Sequence, residues 1–92
     1  MILKKIDDVI ARQIAGETLL VPIRGELADM QKIFALNPVA EYIWQQLDGR
    51  QSLVQISQGL LARFEVAEEQ AEADLAEFIA ELLAAGLIVE VA

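Results

Sequence analysis

The side chains that most often perform chemistry in proteins are scarce in this chain of 92 residues. It contains no cysteine and no histidine, which excludes disulfides, thiolate metal sites, cysteine nucleophiles and imidazole general bases. The hydroxyl groups belong to Thr18, Ser52, Ser57 and Tyr42. Paired carboxylates are the remaining option, and most acidic residues fall on the surface of one predicted helix. We therefore predict no catalytic residue, no metal site, no cofactor and no enzymatic activity.

The charge balance excludes a second class of function. The net charge is −8, and the seven basic residues are scattered along the chain. Nucleic-acid binding requires a basic stripe that neutralises phosphates, so no nucleic-acid partner is expected. The longest stretch without a polar side chain, 82–89, is far shorter than the roughly 20 residues that cross a bilayer. Because the N-terminus also lacks the apolar core of a signal peptide, we expect no membrane partner and a cytoplasmic location.

The first part of the chain is predicted to form β-strands. The length and composition predict one domain over residues 1–92. Val9 to Ala15 and Thr18 to Ile23 read as a hairpin with a turn at Gly16-Glu17. Met30 to Leu36 reads as a third strand that is apolar on both alternating faces, which predicts cover on both sides.

Helices follow this third strand. Asn37 suits a helix N-cap and Pro38 the first helical position, so a first helix is expected from Pro38 to Leu47, ended by Asp48-Gly49. Ser52 and Gln55 form a capping-box pattern at the start of the second helix. The third helix is predicted from Ala67 to Ala85. The last residues, Leu87 to Val91, are expected to form a short strand or an extended cover.

The third helix has an apolar arc that is wider than one core requires. A core-facing stripe is predicted from Ala71, Leu75, Phe78, Ile79 and Leu82. Ala73, Ala76 and Ala80 extend the apolar surface around the cylinder. These alanines have two interpretations: they are good helix formers on a surface, or they form the floor of a groove for another chain. The helix has six acidic residues and no basic one, which argues against a DNA-recognition helix.

A longer pattern resembles a known family. Residues 36–49, LNPVAEYIWQQLDG, are similar to the LN-x-x-a-x-x-IW-x-x-LDG signature of PqqD-like proteins. Asp8 to Arg12 resembles the opening strand of that family. Asp74-Leu75, Phe78-Ile79, Leu82 and the following Gly86-Leu87-Ile88 are similar to its closing pattern. The resemblance covers nearly the whole chain.

The resemblance implies an α+β fold of the winged helix-turn-helix type: an N-terminal three-stranded antiparallel sheet, three helices and a short C-terminal strand or tail. It also implies a non-catalytic module that captures the leader segment of a ribosomally made precursor peptide. Such a module presents the peptide to a maturation enzyme, such as a radical S-adenosylmethionine protein or a peptidase, in the biosynthesis of pyrroloquinoline quinone or of another modified peptide.

In that family the leader adds as a strand beside the third strand and lies against the third helix. Strand addition of this kind uses the unpaired backbone groups of a sheet edge. Carried to this chain, the resemblance predicts a peptide-binding set of Met30, Gln31, Lys32, Ile33, Phe34, Ala35, Ala73, Asp74, Ala76, Glu77 and Ala80.

Two further residues and one further function have alternative interpretations. Lys32 either pairs with an acidic leader residue or is a solvated edge lysine that limits aggregation. Trp44 is assigned to the core and not to the site. An alternative function is a homodimerising domain whose third strand pairs or swaps with a second copy.

Overall fold

The computed structural model describes residues 1–7, 9–22 and 34–91. The bounds of its elements are β1 Ile2–Lys5, β2 Val9–Ile14, β3 Glu17–Pro22, β4 Phe34–Leu36, α1 Pro38–Gln46, β5 Asp48–Ser52, α2 Leu53–Arg63, α3 Glu68–Ala84 and β6 Ile88–Glu90. The predicted α+β fold is confirmed: an antiparallel three-stranded sheet near the N-terminus, three helices and a C-terminal strand.

The first sheet has the strand order β2-β3-β4. Its hairpin turn is Ala15-Gly16, where both residues have positive φ values of 53° and 83°. A two-residue turn with two positive φ values matches the right-handed twist of the flanking strands. The predicted turn at Gly16-Glu17 was one residue too late, because Glu17 already pairs with Ile14 across the hairpin.

The third strand of this sheet is described only from Phe34 onward. The rest of the predicted strand, Met30 to Ile33, lies outside the described residues. Within β4, Phe34 and Leu36 are buried whereas Ala35 is exposed. The prediction of cover on both faces was therefore wrong at Ala35, where the sheet packs on the core with one face.

A second sheet, in the order β5-β1-β6, was not predicted from the sequence except for its last strand. Its central strand β1 pairs with β5 through Ile2 opposite Ser52 and with β6 through Lys5 opposite Ile88. Both missed strands are short, and Asp48-Gly49 was interpreted only as the end of the first helix. Gly49 does have a left-handed φ of 80°, but it lies within β5.

The helix boundaries follow the caps that the sequence predicted. The Ala40 amide donates to Asn37 Oδ1 at 2.8 Å, and Pro38 opens α1. The Gln55 amide donates to Ser52 Oγ, while the Ser52 amide donates to Gln55 Oε1, which completes the capping box of α2. These caps satisfy amide groups that the first turn of each helix leaves unpaired.

One hydrophobic core joins the two sheets to the three helices. On α3 the buried residues are Ala71, Leu75, Ile79 and Leu82, which are four of the five residues of the predicted stripe. The fifth, Phe78, is only partly buried and packs against the core. Trp44 is 4% exposed, so its assignment to the core is confirmed. The whole buried cluster is Leu3, Val9, Leu20, Phe34, Leu36, Ile43, Trp44, Leu47, Ile56, Leu60, Ala71, Leu75, Ile79, Leu82, Leu87 and Ile88.

Candidate functional site

The strand β4 lies at the border of its sheet. It pairs with β3 through Leu36 opposite Thr18 and Ala35 opposite Leu19, and no further described strand follows it in the sheet. The border of a sheet presents backbone donors and acceptors to an extended chain. Among the strands that the structure describes, β4 is therefore the last one in its sheet, which is the position at which strand addition takes place.

A groove of about 300 Å³ lies beside β4, between the first turns of α1 and one side of α3. Its lining residues are Phe34, Ala35, Asn37, Val39, Ala40, Ile43, Asp74, Glu77, Phe78 and Glu81. The strand, the first helix and the third helix each contribute to it. The groove thus joins a strand border to a helix wall, as a peptide-binding site of the strand-addition type requires.

The position of α1 against β4 follows from the local sequence. Asn37 directly follows Leu36 and has an extended backbone, with φ −75° and ψ 173°. Because its side chain caps Ala40 and Pro38 occupies the first helical position, the chain changes from strand to helix within one residue. This abrupt change places Val39 and Ala40 beside the end of the strand.

The α3 wall of the groove carries three carboxylates, from Asp74, Glu77 and Glu81. Asp74 is half-buried and accepts a 2.7 Å hydrogen bond from Gln70 Nε2, while the two glutamates are exposed. The same groove is also lined by Phe78 and by the apolar side chains of Val39, Ala40 and Ile43. The groove therefore combines an apolar floor with an anionic wall.

The structure brings together four of the predicted site residues: Phe34, Ala35, Asp74 and Glu77 all line the groove. It places the three alanines elsewhere. Ala73 and Ala80 are exposed and are not among the groove-lining residues, and Ala76 lines a different cleft. Met30, Gln31, Lys32 and Ile33 lie outside the described residues, so their assignment stays a prediction.

Sequence reasoning missed the contributions of α1 and part of α3. The additional lining residues are Asn37, Val39, Ala40, Ile43, Phe78 and Glu81. One signal was present, because Asp74, Glu77, Phe78 and Glu81 occupy one side of the helical wheel at a spacing of three, four and seven residues. The Asn37-Pro38 junction also indicated that α1 starts at the strand end.

A second cleft, of about 320 Å³, lies on the opposite side of α3, between α2 and α3. Leu75 and Ala76 contribute from α3, while Val54 and Leu61 of α2 remain 66% and 37% exposed. Glu68 and Glu72 line the same cleft. Ala76 is thus on the side of α3 that faces α2, whereas Asp74, Glu77 and Glu81 line the groove beside β4.

The described residues contain no group of three or more acidic side chains that is arranged to hold a metal ion. Asp48, on β5, has its carboxylate hydrogen-bonded to the Arg50 amide at 2.9 Å and the Gln51 amide at 3.3 Å. The hydrogen bond from Arg50 is the main cause that lowers the pKa of Asp48 below its usual value of 3.8. These bonds are local to one strand, so Asp48 has a structural role in the turn.

Among the residues that the structure describes, no helix has both the length and the apolar character needed to span a membrane.

Comparisons with known proteins found one matching family and solved structures with a similar fold. The family model described as coenzyme PQQ synthesis protein D (PqqD) matches residues 17–88. A solved structure described as TbiB1 in complex with the TbiA(beta) leader peptide is 25% identical, with a TM-score of 0.74 over 97% of this chain and 98% of that chain. A lasso peptide synthetase B1 complexed with the leader peptide is 23% identical, with a TM-score of 0.73 over 95% and 96% of the two chains. No curated protein sequence matches this chain.

Proposed function

The chain belongs to the PqqD family, and from that premise we propose that it is a leader-peptide-binding module of ribosomal peptide biosynthesis. In this proposal an extended segment of a precursor peptide adds as a strand beside β4. The adjoining groove receives the side chains that point toward α1 and α3. The family match and a structural relative that is bound to a leader peptide support this assignment.

One observation carries the binding mode: the border position of β4 directly beside the groove. Main-chain hydrogen bonds along a strand give affinity with little demand on sequence, while pockets for alternate side chains give selectivity. A border strand alone would not select among peptide sequences. A groove alone would not provide hydrogen-bond partners for the peptide backbone. Both features meet at Ala35, which belongs to the strand and also lines the groove.

We also propose that the module contributes no catalytic group and acts by presenting the peptide to a separate modifying enzyme. The chain has no histidine or cysteine. Two of its four hydroxyl-bearing residues already have structural roles, because Ser52 caps α2 and Thr18 is 5% exposed within the sheet. The chemistry of modification then belongs to the partner enzyme.

The alternative function is homodimerisation through the same border strand β4, and its border position favours this function too. The two functions compete for one set of backbone groups. A light-scattering series over protein concentration separates them, because a dimer that pairs through β4 must dissociate when a peptide occupies that border. A dimer that persists at saturating peptide excludes pairing through β4.

The experiment that tests peptide binding uses ligands from a random-sequence peptide display library selected on the immobilised protein. Hydrogen exchange of the complex is expected to slow at β4 and along Asp74–Glu81, and to stay unchanged in the cleft between α2 and α3. Backbone N-methylation at successive positions of a selected peptide is expected to weaken binding at every second residue, by about tenfold or more, since each affected position loses a hydrogen bond.

The result that would overturn the proposal is equally specific. If N-methylation has the same effect at all positions, or if protection from exchange falls between α2 and α3, the peptide does not add as a strand to β4. If the library yields no peptide that binds, the assignment as a peptide-binding module fails.

A further inference from the structure

The groove beside β4 has an uncompensated anionic wall. Asp74, Glu77 and Glu81 stand at a spacing of three and four residues, so their side chains occupy one stripe of α3. Acidic neighbours at these spacings repel each other and destabilise a helix. No basic residue lies within α3 itself to relieve that repulsion.

Two of the basic residues that the structure describes lie over aromatic rings. The Arg63 guanidinium lies over the Tyr42 ring, 5.0 Å from its centre, and Lys5 Nζ lies 5.7 Å from the centre of the Trp44 ring. Among described residues, no ion pair reaches the three groove carboxylates, and the Gln70 amide is a neutral partner of Asp74. The wall is thus available to a cation from outside the described part of the chain.

The groove also has an apolar part in its lining. Val39, Ala40 and Ile43 of α1 and Phe78 of α3 contribute no charge. A peptide side chain with an apolar stem and a cationic end matches both parts, because the stem contacts the apolar lining while the charge reaches the carboxylates. Lysine and arginine have this construction.

Resting on the proposed function, we propose that the groove selects extended peptides that place a lysine or arginine toward α3, and discriminates against acidic residues there. Glu77 and Glu81 are the specificity-determining residues, and Asp74 supports them. The strand border accepts any backbone, so the identity of the peptide is determined by this anionic wall.

The chain offers a matched control for a test of this inference. Glu68 and Glu72 are exposed, lie four residues apart on α3 and line the opposite cleft. Glu77 and Glu81 have the same spacing on the same helix and line the groove. The double variants E77K/E81K and E68K/E72K change the net charge equally, so a difference between them reports the position of the charge.

The first arm of the test is the selection itself. Display of random 12-residue peptides on the wild-type protein is expected to enrich lysine and arginine at one groove-facing position. The same enrichment is expected with E68K/E72K, whereas E77K/E81K is expected to lose it or to enrich aspartate and glutamate. Enrichment of neutral or acidic residues on the wild-type protein would overturn the inference.

The second arm measures affinity by fluorescence anisotropy with one selected peptide. We expect E77K/E81K to weaken binding by about tenfold and E68K/E72K by less than about twofold, since only the first pair contacts the peptide. Changing the basic peptide residue to glutamate is expected to weaken binding to the wild-type protein and to restore it to E77K/E81K. Far-UV circular dichroism checks that both variants are folded.

The outcomes separate this inference from the proposed function. If peptides bind at β4 with alternating sensitivity to N-methylation but without dependence on Glu77 and Glu81, the charge selectivity is wrong and strand addition stands. If the two double variants weaken binding equally, the effect is one of total charge and the inference fails. If no peptide is selected at all, the proposed function fails, and the inference fails with it.

Discussion

The two sides of α3 carry clefts of nearly equal size but of different construction. The groove beside β4 measures about 300 Å³ and the cleft beside α2 about 320 Å³. The first adjoins β4, the border strand of the described sheet, and has Glu77 and Glu81 in its wall. The second lies between two helices whose backbone hydrogen bonds are already made within each helix. Volume therefore does not distinguish them, whereas the presence of a border strand does.

The comparison also separates two kinds of apolar surface. The cleft beside α2 contains exposed side chains such as Val54, yet it offers an extended peptide no backbone partners. Exposed apolar side chains are common on protein surfaces and do not by themselves mark a site. Of the three alanines predicted to form a groove floor, Ala76 lines this less suitable cleft, while Ala73 and Ala80 are exposed outside both clefts.

The largest difference in peptide binding is expected between two variants that each place a methionine side chain in one of the clefts. Ala40→Met puts a flexible apolar side chain into the groove beside β4, and Ala76→Met puts one into the cleft beside α2. We expect Ala40→Met to weaken peptide binding by about tenfold, roughly 1.4 kcal/mol, and Ala76→Met to leave it unchanged. Fluorescence anisotropy with a selected peptide measures both, and equal losses in the two variants would show that the clefts are not functionally distinct.

A smaller difference in peptide binding is expected between variants of the N-caps of α1 and α2. Asn37 caps α1 next to the groove, and Ser52 caps α2, which borders the other cleft. Asn37→Ala and Ser52→Ala are each expected to lower the free energy of unfolding by about 1 kcal/mol, because each leaves an amide group without its partner. Only Asn37→Ala is expected to weaken peptide binding as well, by a few-fold.

Urea denaturation measures the first quantity for both cap variants, and peptide titration measures the second. If Ser52→Ala weakens binding as much as Asn37→Ala, binding responds to general stability and not to the position of the first turn of α1.

The smallest effect concerns Asp48, whose carboxylate belongs to neither cleft. Its pKa is lowered chiefly by the hydrogen bond from the Arg50 amide. A lowered pKa means that the charged form stabilises the fold above the usual value of 3.8, and that this contribution is lost as the pH falls below it. Asp48→Asn is therefore expected to flatten the loss of stability below about pH 4 and to leave peptide binding at neutral pH unchanged. Urea midpoints measured across this range check the slope, and an unaltered slope would contradict the assignment.

Much of the fold was predictable because its signals are local. The cap of α1 at Asn37, the capping box of Ser52 and Gln55, and the buried stripe of α3 depend on residues within two turns of each other. The strands β1 and β5 were not predictable in this way. Ile2 pairs with Ser52, and a partner fifty positions away leaves no pattern in a four-residue strand.

The candidate site, too, has features that local sequence predicts and features that depend on tertiary packing. The sequence by itself determined that β4 is followed at once by a helix. It also determined that α3 has one core stripe, an apolar flank of alanines beside that stripe, and a sector with Asp74, Glu77 and Glu81. The sequence did not determine which side of α3 lies against β4. Helical periodicity gives the angular order of the side chains around the helix, but it does not identify the element that packs against each side. Only the tertiary structure decided this: with Leu75, Ile79 and Leu82 held in the core, α2 and β4 occupy opposite sides of α3, and the carboxylates face the strand.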